Sequence, residues 1–274
     1  MAQLARQFQP SYAFLERNFN LVKRYWGWEI AFLIYSVAQA LAIGFIGQAA
    51  GTLSGQPVDG DQLTFYLLIG SLVWSYLAVN FDVMAEMITW ERWEGTIEYT
   101  FMAPVARWRQ MLGQVIFGAS YGLLRTAVIL VILTRFFAID LSRANLLAAA
   151  VALAVASIGF IGLGIMASVL PLLFTERGMQ MVFVSQSCLL LISGVFYPVE
   201  VMPGWMQAIS RLSPATYALV AVREALLRGT SIVELGHVLL PLLLVGLGTI
   251  PAGLLVFGWA ERYAKRTGRL KRNG

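Results

Sequence analysis

The sequence reads as an all-α integral membrane protein of six transmembrane helices, on three grounds. Of the 274 residues, 58% are hydrophobic and 13% charged, with a mean hydropathy of +0.70. A soluble domain carries roughly twice that charged fraction. The apolar residues gather into runs at about 29–50, 63–85, 111–133, 145–174, 180–199 and 236–258, close to the ~20 residues that cross a bilayer. Lys and Arg, finally, are spread unevenly over the connections between these runs.

Residues 1–27 place Tyr12, Leu15, Phe19, Val22 and Trp26 three and four apart, the pattern of an amphipathic helix lying in the inner interface. Because this polar segment precedes the first apolar run, no signal peptide is expected. With both termini cytoplasmic, the inside segments collect Arg6, Arg17, Lys23, Arg24, Arg92, Arg107, Arg109, Arg177, Arg262, Lys265, Arg266, Arg269, Lys271 and Arg272. The outside segments hold Arg135, Arg143, Arg211, Arg223 and Arg228, and the 51–62 loop carries only Asp59 and Asp61 as charges. That bias orients the chain in the cell membrane. The fourth run exceeds one crossing and is expected to tilt or project, while the fifth runs into Gly194 and Pro198. Ala148, Ala152 and Ala156 form a small-residue stripe suited to close helix packing. Trp28, Trp74, Trp205 and Trp259 fall near span ends, as interface anchors do. No repeat or second domain is visible. The chain is expected to form one transmembrane domain, 1–274, with spans one to three at 29–133, spans four to six at 145–258 and a basic tail at 259–274.

Much chemistry is excluded. His237 is the one histidine and Cys188 the one cysteine, so neither a disulfide within the chain nor a protein-ligated metal site is expected. The net charge of +5 fits inside-facing basic residues and a tail near anionic lipid headgroups, and no nucleic-acid partner is read from it. None of Lys23, Lys265 and Lys271 follows a glycine, so this chain has no P-loop. Were transport ATP-driven, the ATPase would be a separate protein.

The segment 86–107 is a charged block in a chain that otherwise avoids charge. Met87, Ile88, Trp90, Trp93, Ile97, Phe101 and Met102 suit a helix along the membrane, with Glu91, Glu94 and Glu98 on its other face. Gly95 and Thr96 lower helix propensity midway and predict a turn, and Pro104 ends the pattern. Further on, Pro198, Pro203 and Pro214 bar one continuous helix. They leave a short helix bearing Val201, Trp205, Ile209 and Leu212, then another at about 215–228 presenting Tyr217, Val220 and Leu227. Either a partly re-entrant hairpin or a plain interfacial loop satisfies that pattern.

At these residues the chain resembles the permeases of type 2 ATP-binding-cassette exporters. Glu91, Arg92, Gly95, Thr96 and Glu98, followed by Pro104 and Gly113, are similar to the signature after the second span of that family. Gly194, Phe196, Pro198, Pro203, Trp205, Pro214, Tyr217 and Arg223 are similar to its segment between spans five and six. Ser213 stands where Asn is more usual, and Thr100 and Phe101 where a leucine is common. The resemblance implies a coupling helix at about 86–104, with Trp90, Glu91, Arg92, Trp93, Gly95, Thr96 and Glu98 seated in a separate ABC ATPase subunit. It also implies an outer gate built on the hairpin, and pairing with a second permease copy. The permease itself would bind no cofactor, ATP and Mg sitting on the partner, and would have no catalytic site. Drug or lipid export is the nearest likeness, polysaccharide or teichoic-acid export the alternative. An ion-coupled carrier is the rival class, disfavoured because the spans show no midplane Asp or Glu.

Arg125 lies inside the third span, where an unpaired charge costs a few kcal/mol or more. Glu29 and Asp82 are read as lying within about one turn of their cytoplasmic ends, too shallow to pair with it. Gln39, Ser71, Ser75 and Glu200 are the polar candidates near its depth. Arg125, with Gln39, either serves structure or faces the translocation path.

Overall fold

A computed structural model describes residues 2–54, 59–103 and 106–270. Helix α1 (Ala2–Arg24) is parted from α2 (Trp26–Ser54) at Tyr25; α3 (Gly60–Trp93) follows, then α4 (Ile97–Met102) and α5 (Arg107–Phe136). The second half comprises α6 (Leu146–Ala167), α7 (Val169–Leu173), α8 (Gly178–Ile192), a 3-10 turn (Val199–Val201), α9 (Gly204–Ser210), α10 (Pro214–Arg228) and α11 (Gly236–Arg266). The Asp59 carboxylate caps α3 by accepting from the N–H groups of Asp61 and Gln62, and Asn145 caps α6 by accepting from that of Ala148.

Among the described residues five helices are long and apolar enough to cross a membrane: α2, α3, α5, the α6–α7 pair and α11. The fifth expected span is shorter than the sequence suggested. Helix α8 stops at Ile192 after 15 residues, about 22 Å at 1.5 Å per residue, and the chain to Pro198 is irregular. The fourth run is broken at Ser168, three residues before Pro171, whose ring cannot continue an α-helical ladder. The helix of the second span does not stop near 85. It runs unbroken to Trp93, because the loss of hydropathy after Ala85 is not a loss of helix propensity. The separate helix expected over 86–104 is therefore the last turns of α3, a turn at Glu94 to Thr96 with Gly95 at φ 71°, and the six-residue α4. Pro104, Lys271 and Arg272 lie outside the described residues.

Helix α6 is the axis of the packing, covered by α3, α10 and α11. Ala148, Ala152 and Ala156 are fully buried there, so the small-residue stripe serves as expected. On α11 Gly246 faces Gly159, and a Cβ on Gly253 would lie 2.6 Å from the Gly162 carbonyl oxygen. Backbones this close allow no larger residue. Tyr76 and Ser157 join their hydroxyls between α3 and α6. Trp74, partly buried midway along α3, packs edge-on against Phe160 of this core; Trp28, Trp205 and Trp259 are exposed.

Helix α1 rests on α5. The Asn18 amide donates to Gln114 at 2.6 Å, Phe19 meets Phe117 edge-on, and Gly113 admits the α1 backbone, where a Cβ would lie 2.5 Å from the Ser11 oxygen. Tyr12, Phe19 and Trp26 of the predicted apolar stripe stay exposed.

Candidate functional site

The α3–α4 turn gathers the charged block into two layers. Glu91 and Arg92, in the last turn of α3, are buried at 1% and 5% exposure. Arg17 of α1 donates to Glu91 Oε1 at 2.5 Å and to Glu94 Oε2 at 2.6 Å. The hydroxyls of Thr96 and Thr100 donate to Glu91 Oε2 at 2.5 and 2.8 Å. Burial alone would lower the Arg17 pKa, but the hydrogen bonds and charges of the two carboxylates outweigh it and raise the value. The Arg17 cation therefore persists across physiological pH. Arg92 turns the other way. One terminal nitrogen donates to the Leu172 carbonyl at the end of α7, at 3.0 Å, and to the Arg269 carbonyl at 2.9 Å.

Ile97 and Phe101 anchor α4 inward, in a cluster with Met84, Met87, Ile88 and Phe257. Ile97 is thus part of the chain's own core. What the segment presents outward is Trp93, Tyr99 and Met102, at 70%, 79% and 75% exposure, beside the exposed Glu94 and Glu98. Trp90 is half-buried between the rings of Tyr25 and Trp93. Gly95 supplies the left-handed residue of the turn. A groove of about 340 Å³ runs alongside, lined by Glu16, Arg17, Asn20 and Arg24 of α1 and by Glu94. Spacing alone did not tell which face of 86–102 turns inward, and no local signal pairs Arg17 with a residue 74 positions away.

At the opposite end the prolines fall where expected. Pro198 precedes the 3-10 turn, Pro203 precedes α9, and Pro214 is the first residue of α10, which Gly229 closes at φ 70°. Arg223 of α10 reaches back to the irregular segment after α8, donating to the carbonyls of Gly194 at 3.3 Å and Val195 at 2.6 Å. Its guanidinium lies 3.7 Å from the Tyr66 ring centre, a cation–π arrangement. Gly194 takes φ 69°, and Phe196 packs partly buried against the core. The Ser193 and Ser213 hydroxyls meet at 2.8 Å, and Tyr217 donates to the Arg211 carbonyl. Val201, Trp205, Ile209 and Leu212 form an exposed apolar face.

Arg125 is held by α2, donating to the Ser36 hydroxyl at 2.6 Å and the Phe32 carbonyl at 2.8 Å. Neither partner was among the candidates. Gln39 instead bonds the Tyr35 hydroxyl on the exposed side of α2. Tyr121 meets Glu29 one turn before Arg125. Asp82 is not near the end of its helix, since α3 continues eleven residues beyond it, and it accepts from Gln186 of α8 at 2.5 Å. Among the described residues no group of His, Cys, Asp and Glu has a metal-binding arrangement.

A family model described as ABC-2 type transporter matches residues 11–227. The chain belongs to this family. The match takes in the α1–Glu91 clasp, the α3–α4 turn and the Arg223 hairpin, and it ends inside α10. No curated protein matches the chain. An ABC-2 membrane domain is a transport subunit, and membership implies a partner ABC ATPase. In this ABC-2 subunit the exposed tip at Trp93, Tyr99 and Met102 and the hairpin face at Trp205 lie on opposite ends of the bundle.

Proposed function

We propose that this ABC-2 subunit is the translocation path of an ATP-driven exporter of hydrophobic or amphipathic substrates, drugs or lipids, powered by a separate ATPase bound at the α3–α4 turn. The observation that carries this reading is the tip itself. Three large apolar side chains stand exposed beside Glu94 and Glu98. Lipid tails disfavour carboxylates and water disfavours the aromatics, whereas a protein cleft accepts both, with energy concentrated in the aromatics. The groove along α1 extends the same surface.

In this reading the α4 end is cytoplasmic, as the inside bias of Lys and Arg supports, and both termini lie there. Helix α8 with its irregular leg makes the fifth of six crossings, and a second copy completes the pore. Closure of the ATPase pair presses on the tip. The inward anchors Ile97 and Phe101 pass the motion to α3 and Arg17 passes it to α1, so the bundle switches between two packed states. The hairpin, with its apolar face on α9, is the outer gate. Arg125 belongs to the α2–α5 joint, given its two bonds to α2. Polysaccharide export is the alternative cargo.

The test is transport per ATP hydrolysed in proteoliposomes containing the ATPase, with rhodamine 6G and a fluorescent phospholipid as probes. Trp93→Ala and Glu98→Lys are expected to cut transport about ten-fold, the loss of one hot-spot contact, while the permease stays inserted. Unchanged transport in both would remove the segment from the mechanism.

A further inference from the structure

Helix α7 ends with carbonyls that its own ladder leaves without partners. Two guanidiniums satisfy them: Arg92 at Leu172 and Arg269 at Leu173, each at 3.0 Å. The two arginines also interlock, because Arg92 donates to the main-chain oxygen of Arg269. Beyond α11 the chain turns at Gly268, φ 69°, and Leu270 is buried in the same cluster as Ile97 and Phe101. The C-terminal turn, the end of α7 and the α3–α4 turn therefore share one core. Past α7 the chain folds onto α8 with no side chain between, since a Cβ on Gly178 would lie 2.3 Å from the Pro171 Cα.

We propose that Arg92 and Arg269 are positioning residues of the transport step, tying the end of α7 to the α3–α4 turn and the C-terminal turn so that displacement of the tip is delivered to α8. This rests on the reading of the tip as the ATPase contact. Cation caps at a helix C-terminus also complement its dipole, and two such caps bound to one another move as a unit. The arrangement makes the C-terminal turn, beyond the matched 11–227 region, part of the coupling path.

Cys188, the chain's one cysteine, is exposed on α8 and serves as a native reporter. The permease is labelled there with a bimane maleimide, reconstituted with its ATPase, and its emission compared before and after trapping with ATP and vanadate. The wild type is expected to show an ATP-dependent change. Arg269→Ala is expected to reduce it about five-fold or more, the scale of one lost hydrogen bond to a charged donor, with ATPase co-purification and hydrolysis retained. Arg269→Lys, which keeps a donor, is expected to restore at least half of it. Arg92→Lys is expected to match Arg269→Ala; should it fail to insert, the exposed Arg269 decides alone. A full-sized change in Arg269→Ala overturns the inference and leaves the tip reading standing, as does loss of the ATPase from that variant, which would make Arg269 a docking residue. A wild type with no ATP-dependent change overturns both.

Discussion

The two ends of this bundle meet the same difficulty with the same residue type, and differ in what surrounds it. At each end a helix breaks off, and carbonyls at or just past the break accept from arginines elsewhere in the chain: Arg92 and Arg269 at the end of α7, Arg223 in the segment after α8. At the α9 end the arginine lies on the Tyr66 ring among hydroxyl pairs, and its carbonyl partner Val195 packs directly on Gly70. At the α4 end the two arginines lie next to a separate layer in which Arg17 clasps Glu91 and Glu94, beneath an exposed apolar tip. The first is a fixed, space-filling joint. The second combines a held core with a surface available to a partner, which is what a point of force input requires.

The largest effect should come from the fixed joint. A Cβ at position 70 would lie 2.1 Å from the Val195 oxygen, a backbone atom that cannot rotate aside. Gly70→Val is expected to cost about 3 kcal/mol and to lower the thermal midpoint in detergent. A near-normal midpoint would show that the α9 end yields as readily as the α4 end. A smaller effect is expected at the clasp. Arg17→Ala leaves the Glu91 carboxylate buried with only two threonines and should cost about 2 kcal/mol. Glu94→Ala, losing only the exposed half of the clasp, should cost about 0.5 kcal/mol. The same thermal measurement reads both, and equal values would mean that Glu91 is not the buried hub.

The contrast between the ends also explains what could be read from sequence. Proline and glycine act locally, so Pro198, Pro203 and Pro214 marked the hairpin breaks and Gly95 the turn. The end of α3 was misplaced because hydropathy reports the membrane boundary, not the helix boundary. Pro171 is the local signal for the Ser168 break, but it sits within an unbroken apolar run. Which of Trp93 and Ile97 faces outward depended on where α11 and α7 pack, which no spacing within 86–102 encodes. An arginine inside a span needs a partner, which the sequence shows for Arg125, yet Ser36 and Phe32 follow only from α2 lying beside α5.

The central claim, that the α4 tip is where the ATPase grips the chain, is tested most directly by site-specific photocrosslinking in native membranes. One photoreactive residue is placed at position 99 and, in a second variant, at position 205, on the exposed surfaces of opposite ends. The account predicts that the ATPase is captured from position 99 and not from position 205. Capture from 205 with none from 99 would contradict it.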